Sequence, residues 1–364
     1  MRATVAVAEP VSLAMAAAKS VSLTYSSDAD PGYQRLRRGR GFYYIDPEGR
    51  VVRKPVLLNR FRELVLPPAW RDVWICLSAN GHLQATGHDA RGRKQYRYHE
   101  RWRQVRDETK YDRLVDFAAV LPKLRRRIRR DLRTRGMPRE RVLATVVALL
   151  ESTLIRVGND EYARENRSFG LTTFEDRHAK VRGDVVRFQF RGKSGKVHDV
   201  ELKHPRVAQM VRQCQALPGR HLFEYRDDAG KVHRVTSSDV NEYLKEVTGQ
   251  EFTAKDFRTW AGTLLALEIL AGAERPRRAT AIPKQIVETV RSVAERLGNT
   301  PAVCRKSYIH PAVFEAYASG KLPAWKVARR ARLGASASLS SAEQQLLRFL
   351  KQATRSPSKH ARAG

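Results

Sequence analysis

The chain has 364 residues, 42% hydrophobic and 8% aromatic, enough for two domains and a sizeable core. Its 69 Lys and Arg outweigh 38 Asp and Glu to give a formal net charge of +31, more than an enzyme for a neutral substrate needs. The excess fits an extended polyanion whose phosphates release counterions on binding; a membrane surface is the other polyanion to weigh, and no apolar run reaches transmembrane length.

Residues 1 to 29 read as a flexible leader. Glu9 and Pro10 interrupt the apolar run that a signal peptide needs, and Ser26-Ser27-Asp28-Ala29-Asp30 reads as linker. Phe42-Tyr43-Tyr44-Ile45 is a strand running into the turn Asp46-Pro47-Glu48-Gly49. Val73 to Leu77 is another strand, Asn80-Gly81 signals a hairpin, and His82 to Thr86 returns. After a turn at Asp89 to Arg93 comes Gln95-Tyr96-Arg97-Tyr98. Residues 30 to 107 therefore read as a small β-rich N-terminal domain.

Helical periodicity starts near Tyr111, with Leu114, Phe117, Ala118 and Leu121 on one face and a break or bend expected at Pro122. Leu124, Ile128 and Leu132 continue the stripe, while Arg125-Arg126-Arg127 and Arg129-Arg130 form a cationic face, either solvated or against a DNA backbone. Pro138 opens a helix whose apolar face, Val142, Thr145, Val146, Leu149 and Leu150, leads to Leu154 and delivers Arg156. Val185 to Phe190 and Val197 to Leu202 alternate as strands joined by Gly192-Lys193-Ser194-Gly195-Lys196. Helices follow from Arg206, Ser237, Ala254 and Pro283; after Gly320 the chain turns polar, with a short helix at Glu343 to Gln352 and a basic end from Arg355. The fold class is α+β: the N-terminal domain, then a mostly helical catalytic domain over residues 108 to 328 bearing a β-hairpin, then a basic, largely flexible tail over 329 to 364. The three cysteines, Cys76, Cys214 and Cys304, are far apart and lack a CxxC, so neither a disulfide framework nor a zinc site is expected, and a reducing cytoplasm is the simplest compartment.

An ordered set of polar groups punctuates the second domain. Thr300 and Pro301 are a helix cap and first-turn residue, placing Tyr308 about two turns into a short helix that stops before His310-Pro311. Taken alone, such a tyrosine is an ordinary core or surface aromatic. Arg156, among apolar neighbours, is costly to bury unless an anion pairs with it; the anion is either a phosphate, which a planar guanidinium fits, or a carboxylate such as Glu161 or Glu165. Lys193, at a hairpin tip, is a solvated turn lysine or a proton donor reaching into a groove. Gly192-Lys193-Ser194 lacks the full phosphate-loop spacing, so no ATP site is expected. Lys255 and Arg258 share a helix face, and Asn299 follows Gly298 at a helix end, as a cap or an amide donor. A phenol with a pKa of about 10 needs cationic neighbours to attack near neutral pH, and a pentavalent phosphate needs donors already in place. Together these groups suffice to cut and reseal a phosphodiester with no metal and no nucleotide.

These residues carry a resemblance. RVGNDEYARENRSFGLT from Arg156 to Thr172, FRGK from Phe190 to Lys193, KDFRTWAG from Lys255 to Gly262 and LGNTPAVCRKSY from Leu297 to Tyr308 resemble the type IB DNA topoisomerases, in the compact branch shared by poxviruses and bacteria. Gly92 to Tyr98, GRKQYRY, is similar to that family's N-terminal DNA-contacting segment. The resemblance implies Tyr308 as nucleophile, Arg156 and Arg258 as transition-state stabilisers, Lys193 as general acid and Lys255 as its assistant. It implies DNA contacts from Arg93, Lys94, Gln95, Tyr96, Tyr98 and Tyr162, and a β-rich domain and a helical domain closing as a monomeric clamp around duplex DNA. No cofactor, metal or membrane is implied, and the compartment is the bacterial cytoplasm, at the nucleoid. One departure stands out: many members carry histidine where this chain has Asn299. An amide can donate to a phosphoryl oxygen but carries no charge, and charge-assisted bonds are roughly twice as strong.

Two rivals share these features. A tyrosine recombinase uses similar chemistry, but its box has His-x-x-Arg where this chain has Lys255-Asp256-Phe257-Arg258. An architectural DNA-binding protein with an inert tyrosine fits the net charge equally well.

Overall fold

The computed structural model describes residues 15, 18 to 39, 41 to 90, 92, 94 to 323 and 337 to 355. They fall into two compact units, residues 1 to 111 and 112 to 364, each described in turn.

In the first unit, β1 (Gly32–Arg38), β2 (Gly41–Ile45), β3 (Arg71–Cys76), β4 (Leu83–His88) and β5 (Lys94–Tyr98) form an antiparallel sheet in the order β2-β1-β3-β4-β5. Alternation decides its inner face: Val73, Ile75 and Ala85 are buried under Phe61, with Tyr33 and Tyr44 packed beside them. Phe61 comes from a helix that strand patterning did not reveal, α1 (Pro55–Glu63), which Pro55 opens at its first turn. The basic residues here are partly structural. Arg35 donates to the carbonyls of Leu66, Pro67 and Trp70, and Arg60 to those of Cys76, Leu77 and Ser78. The last residues of the leader segment lie on this sheet: Thr24 bridges Gly81, Ser26 N–H donates to His82 Nδ1, and Ala18 and Leu23 are buried with Trp102. The first 14 residues lie outside the described part of the chain.

α2 (Glu100–Asp131) continues through Pro122, so the expected break does not occur. Proline there removes one N–H donor, but Leu114, Phe117, Ala118 and Leu121 before it and Leu124 and Ile128 after it are all buried. Burial on both sides of the proline outweighs its cost of about 3 kcal/mol. The basic run on α2 is not uniformly free. Arg125 turns inward, donating to Glu151 at 2.7 Å and to Glu343 at 2.7 Å, and Arg127 pairs with the buried Asp131.

The centre of the second unit is α3 (Arg139–Thr153), buried from Arg141 through Leu150. Around it pack α5 (Pro205–Gln215), α6 (Ser237–Thr248) and α7 (Ala254–Gly272), while α4 (Asp160–Asn166) is a short helix following Arg156. A three-stranded antiparallel sheet, β6 (Ala179–Arg182), β7 (Val185–Arg191) and β8 (Val197–Lys203), presents Val186, Phe188 and Phe190 inward. A small pair, β9 (Glu224–Arg226) and β10 (Val232–Arg234), lies apart from it. α8 (Ile282–Arg296), α9 (Pro301–Tyr308) and α10 (Pro311–Ala318) follow in close succession against α7. Residues 341 to 355, expected in a largely flexible tail, form α11 (Ser341–Arg355), which buries Ala342, Leu346, Phe349 and Leu350 and places Glu343 where Trp260 Nε1 donates to it at 3.2 Å. Four apolar residues at helical spacing are what dock it. The basic end from residue 356 lies outside the described residues. The architecture is a β-rich N-terminal region followed by a mostly helical one bearing a small sheet, as the patterning indicates.

Candidate active site

Helix ends and one hairpin supply the candidate site. α3 stops on Leu154, whose φ of 58° and ψ of 18° are left-handed, a conformation that costs a non-glycine residue roughly 1–2 kcal/mol. That twist turns the Leu154 carbonyl toward Arg258, and the chain runs on through the buried Ile155 to a half-buried Arg156. α7 starts with a capping box: Thr253 N–H donates to Asp256 Oδ2 at 2.7 Å, and Lys255 N–H donates to Thr253 Oγ1 at 3.3 Å. The box fixes the first turn, and Arg258 follows it, 3% exposed. α8 ends at Gly298, with φ 60°, where Asn299 N–H donates back to Ala294 at 2.8 Å. Thr300 then caps α9, which ends on Tyr308. Gly262 on α7 lets α9 come close, since a Cβ there would lie 2.5 Å from the Tyr308 carbonyl.

The two arginines converge from different helices. Arg258 donates through Nη2 to the Leu297 carbonyl at 2.7 Å and through Nη1 to the Leu154 carbonyl. Its Cζ stands 5.1 Å from the centroid of the Tyr308 ring, and its Nε is buried without a partner. Arg156 donates to the Gly298 carbonyl at 3.3 Å and to Asn299 Oδ1. Neither guanidinium draws a carboxylate among the described residues. Arg156 therefore does not make the ion pair with Glu165 that its apolar setting also allowed, and the Glu161 side chain lies outside the described residues. Burial lowers the pKa of both. The neighbouring Arg258 cation lowers Arg156 further, and Tyr308 acts on both in the opposite direction. Guanidinium groups stay charged regardless, so one buried and one half-buried cation line the same cleft with no carboxylate partner among the described residues. Such an arrangement is costly unless an anion completes it.

The remaining residues of the set are distributed unevenly. Lys193 is exposed on a single tight turn, Lys193–Gly195, between β7 and β8. It lines a cleft of about 30 Å³ together with Arg156, His198 and Arg258. Asn299 is 7% exposed, with Oδ1 engaged by Arg156 and Nδ2 buried without a partner. Lys255 sits one turn before Arg258, exposed and outside the cleft lining. On the first unit, Tyr96 and Tyr98 stack on one face of β5, centroids 6.0 Å apart and planes 10° apart. Lys94 is held by Asp28 at 2.5 Å and Gln95 by Asp89 at 3.0 Å. Arg93 and the Tyr162 side chain lie outside the described residues.

Three groups escaped the sequence reading. Lys196 Nζ donates to the Asn299 carbonyl at 3.0 Å, tying the hairpin to the α8–α9 turn. The Leu154 carbonyl is a backbone atom, for which no residue pattern gives a signal. His198 lies against the cleft; β alternation with Val200 and Leu202 was the available signal for its inward side.

Comparison with known proteins fits this geometry. Residues 99 to 330 match the catalytic core of eukaryotic DNA topoisomerase I, and residues 41 to 89 match the N-terminal domain of bacterial DNA topoisomerase IB. A DNA topoisomerase 1B of Acanthamoeba polyphaga mimivirus is 34% identical over 295 residues, covering 79% of this chain and 87% of that protein. The chain belongs to the type IB DNA topoisomerases. More distant members are similar too. The DNA topoisomerase I of monkeypox virus is 24% identical over 235 residues, covering 63% of this chain and 70% of that protein. The DNA topoisomerase 1 of Mycosarcoma maydis is 22% identical over 203 residues, covering 50% of this chain and 20% of that protein. As a type IB topoisomerase the chain has duplex DNA as its substrate, which accounts for its charge of +31. No helix among the described residues is long and apolar enough to cross a membrane.

Proposed function

We propose that this topoisomerase relaxes supercoiled duplex DNA by cutting one strand with Tyr308 and resealing it, needing neither ATP nor an obligatory metal. The observation that carries the reading is the Tyr308 ring centroid 5.1 Å from Cζ of Arg258, a buried guanidinium without a carboxylate partner among the described residues. A backbone phosphate completes that centre electrostatically. The Tyr308 Oη–P bond forms as the P–O5′ bond breaks; the phenol gives up its proton to water and the leaving 5′-oxygen receives one from Lys193. Arg156 and Arg258 bind the non-bridging oxygens, whose charge grows in the transition state. Lys255 assists near the leaving oxygen. The free 5′ end swivels, then its hydroxyl attacks the 3′-phosphotyrosyl bond. That bond conserves the energy of the phosphodiester, so no nucleotide is consumed.

Asn299 supports the centre from the side. Its Oδ1 holds Arg156, which leaves the unpartnered Nδ2 to donate to a phosphate oxygen. A hydrogen bond from an uncharged amide to an anionic phosphate is worth about 1.5 kcal/mol, so Asn299→Ala slows single-turnover cleavage about tenfold, less than Arg258→Ala does. Equal rates for the two variants would remove the amide from its subordinate role.

The rest of the proposal concerns DNA binding. Residues 30 to 107 form the DNA-binding domain, with Arg93, Lys94, Gln95, Tyr96 and Tyr98 on the duplex, and residues 108 to 328 form the catalytic domain, with Tyr162 adding a contact. Lys94 would exchange Asp28 for a phosphate, and Gln95 would exchange Asp89 for a base edge. The two domains close as a monomeric clamp, acting at the nucleoid in a bacterial cytoplasm.

The test is relaxation of a supercoiled plasmid carrying no recombination site, in EDTA. A ladder of topoisomers is the expected result. Dependence on a specific pair of sites would mark a recombinase, and an unchanged plasmid that is nonetheless bound would mark an architectural protein.

A further inference from the structure

His198 has no part in the reaction just described, yet its ring stands among the groups that perform it. The ring lies flat on Phe190, centroids 4.9 Å apart and planes 7° apart. One side meets the hairpin turn: a Cβ on Gly192 would fall 2.7 Å from both Nε2 and Cδ2. Another side meets the α8–α9 turn, where a Cβ on Gly298 would fall 2.3 Å from Cε1. Cβ contacts under 3.0 Å essentially do not occur, so the ring fills a gap that only two glycines leave open. Nε2 is buried and makes no hydrogen bond among the described residues, which gives the ring a role of shape rather than of donation. Burial, then Arg156, Arg258 and Lys196, lower its pKa, so it adds no further charge to the cluster.

We propose that His198 is a positioning residue for strand cleavage, a spacer whose ring fixes the turn carrying Lys193 against the turn carrying Asn299. The inference rests on the reading above, in which Lys193 protonates the leaving oxygen. Among the described residues the turns are also linked by the bond from Lys196 Nζ to the Asn299 carbonyl. Within the hairpin, Gly192 N–H donates to the Lys196 carbonyl at 2.7 Å, so the tip moves as a unit. Removing the ring leaves that unit free to shift toward the void, and a displacement of about 1 Å costs on the order of 10²-fold in rate.

The experiment compares two leaving groups at a cleavage site first mapped with the wild-type enzyme. One duplex carries the ordinary 5′-oxygen at the cut phosphate; the other carries sulfur, which departs as a thiolate and needs no proton donor. Single-turnover formation of the covalent adduct is measured for wild type, Lys193→Ala, His198→Ala and His198→Phe. Expected is a loss of about 10- to 100-fold for His198→Ala on oxygen. On sulfur His198→Ala should recover to within about threefold of wild type, in the same pattern as Lys193→Ala. His198→Phe keeps a flat ring on Phe190 and should stay within about fivefold of wild type on both. Recovery on sulfur also shows that the variant is folded. The proposal is overturned if His198→Ala matches wild type on oxygen, if it is equally slow on both substrates, or if His198→Phe is as slow as His198→Ala. Absence of any adduct with wild type, or no recovery of Lys193→Ala on sulfur, would instead bring down the underlying reading of Tyr308 or Lys193.

Discussion

Tyr308→Phe should abolish the covalent DNA adduct and plasmid relaxation together, by at least about 10⁴-fold, while DNA affinity stays within about threefold. The phenol is the nucleophile in the proposed reaction, and a phenyl ring offers no atom to attack phosphorus. The substitution removes one oxygen from a half-buried residue at the end of α9, and the ring can keep its place under Arg258. Fold and binding should therefore survive. Mixing enzyme with end-labelled DNA, quenching in denaturant and separating on a denaturing gel reads the adduct directly; filter binding reads affinity. Wild-type adduct that persists in Tyr308→Phe would assign the chemistry to another residue.

Arg258→Ala should lower single-turnover cleavage about 10³-fold, equivalent to about 4 kcal/mol of transition-state stabilisation. The guanidinium is 3% exposed and has no carboxylate partner among the described residues, so its interaction with a phosphate should be little screened by water. The same side chain is a structural link, because it holds the carbonyls of Leu154 and Leu297 from two different helix ends. Its loss leaves both carbonyls without that donor, and each buried unsatisfied group costs about 1–3 kcal/mol, so a lower melting temperature should accompany the slower cleavage. Arg258→Lys separates the two effects. A lysine restores charge but cannot serve two carbonyls and a phosphate with a fixed planar fork, so it should regain less than a tenth of the lost rate. Full activity in Arg258→Lys would show that charge alone is enough. A rate near wild type in a folded Arg258→Ala would move transition-state stabilisation elsewhere.

The individual elements were largely legible because their signals are local. The cap and first-turn pair Thr300-Pro301 predicts α9 and its length, and the structure has that helix ending on Tyr308. Alternation in Val185 to Phe190 predicts β7 and its buried face. Failures came where distant contacts override local preference. Pro122 reads as a break, but the stripe of buried residues on either side carries α2 through it. Residues 55 to 63 carry a short helical stripe, Leu57, Leu58 and Phe61, easily passed over between strands, and α1 lays it over a sheet assembled from both sides of it in the chain. The short helix expected at Glu343 to Gln352 is present, but its docking was not legible: Glu343 meets Arg125 and Trp260 across long stretches of sequence.

The candidate site divides along the same line. Its side chains could be named from motifs, and with them the family, because an arginine, a hairpin lysine, a second arginine and a tyrosine, in that order, are written in the residues themselves. Their partners could not. Whether Arg156 meets a carboxylate or an amide, whether Arg258 hangs on the carbonyls of Leu154 and Leu297, and what occupies the gap beside Gly192 and Gly298 are decided by backbone atoms and by segments distant in the chain, 39 residues apart for Arg258 and Leu297 and 143 for Arg156 and Asn299. A carbonyl has no identity in a sequence, and the charge on a buried guanidinium depends on what surrounds it in space. Residue order therefore determined which groups are available, and tertiary packing alone decided which of the cations would be left without a carboxylate partner among the described residues.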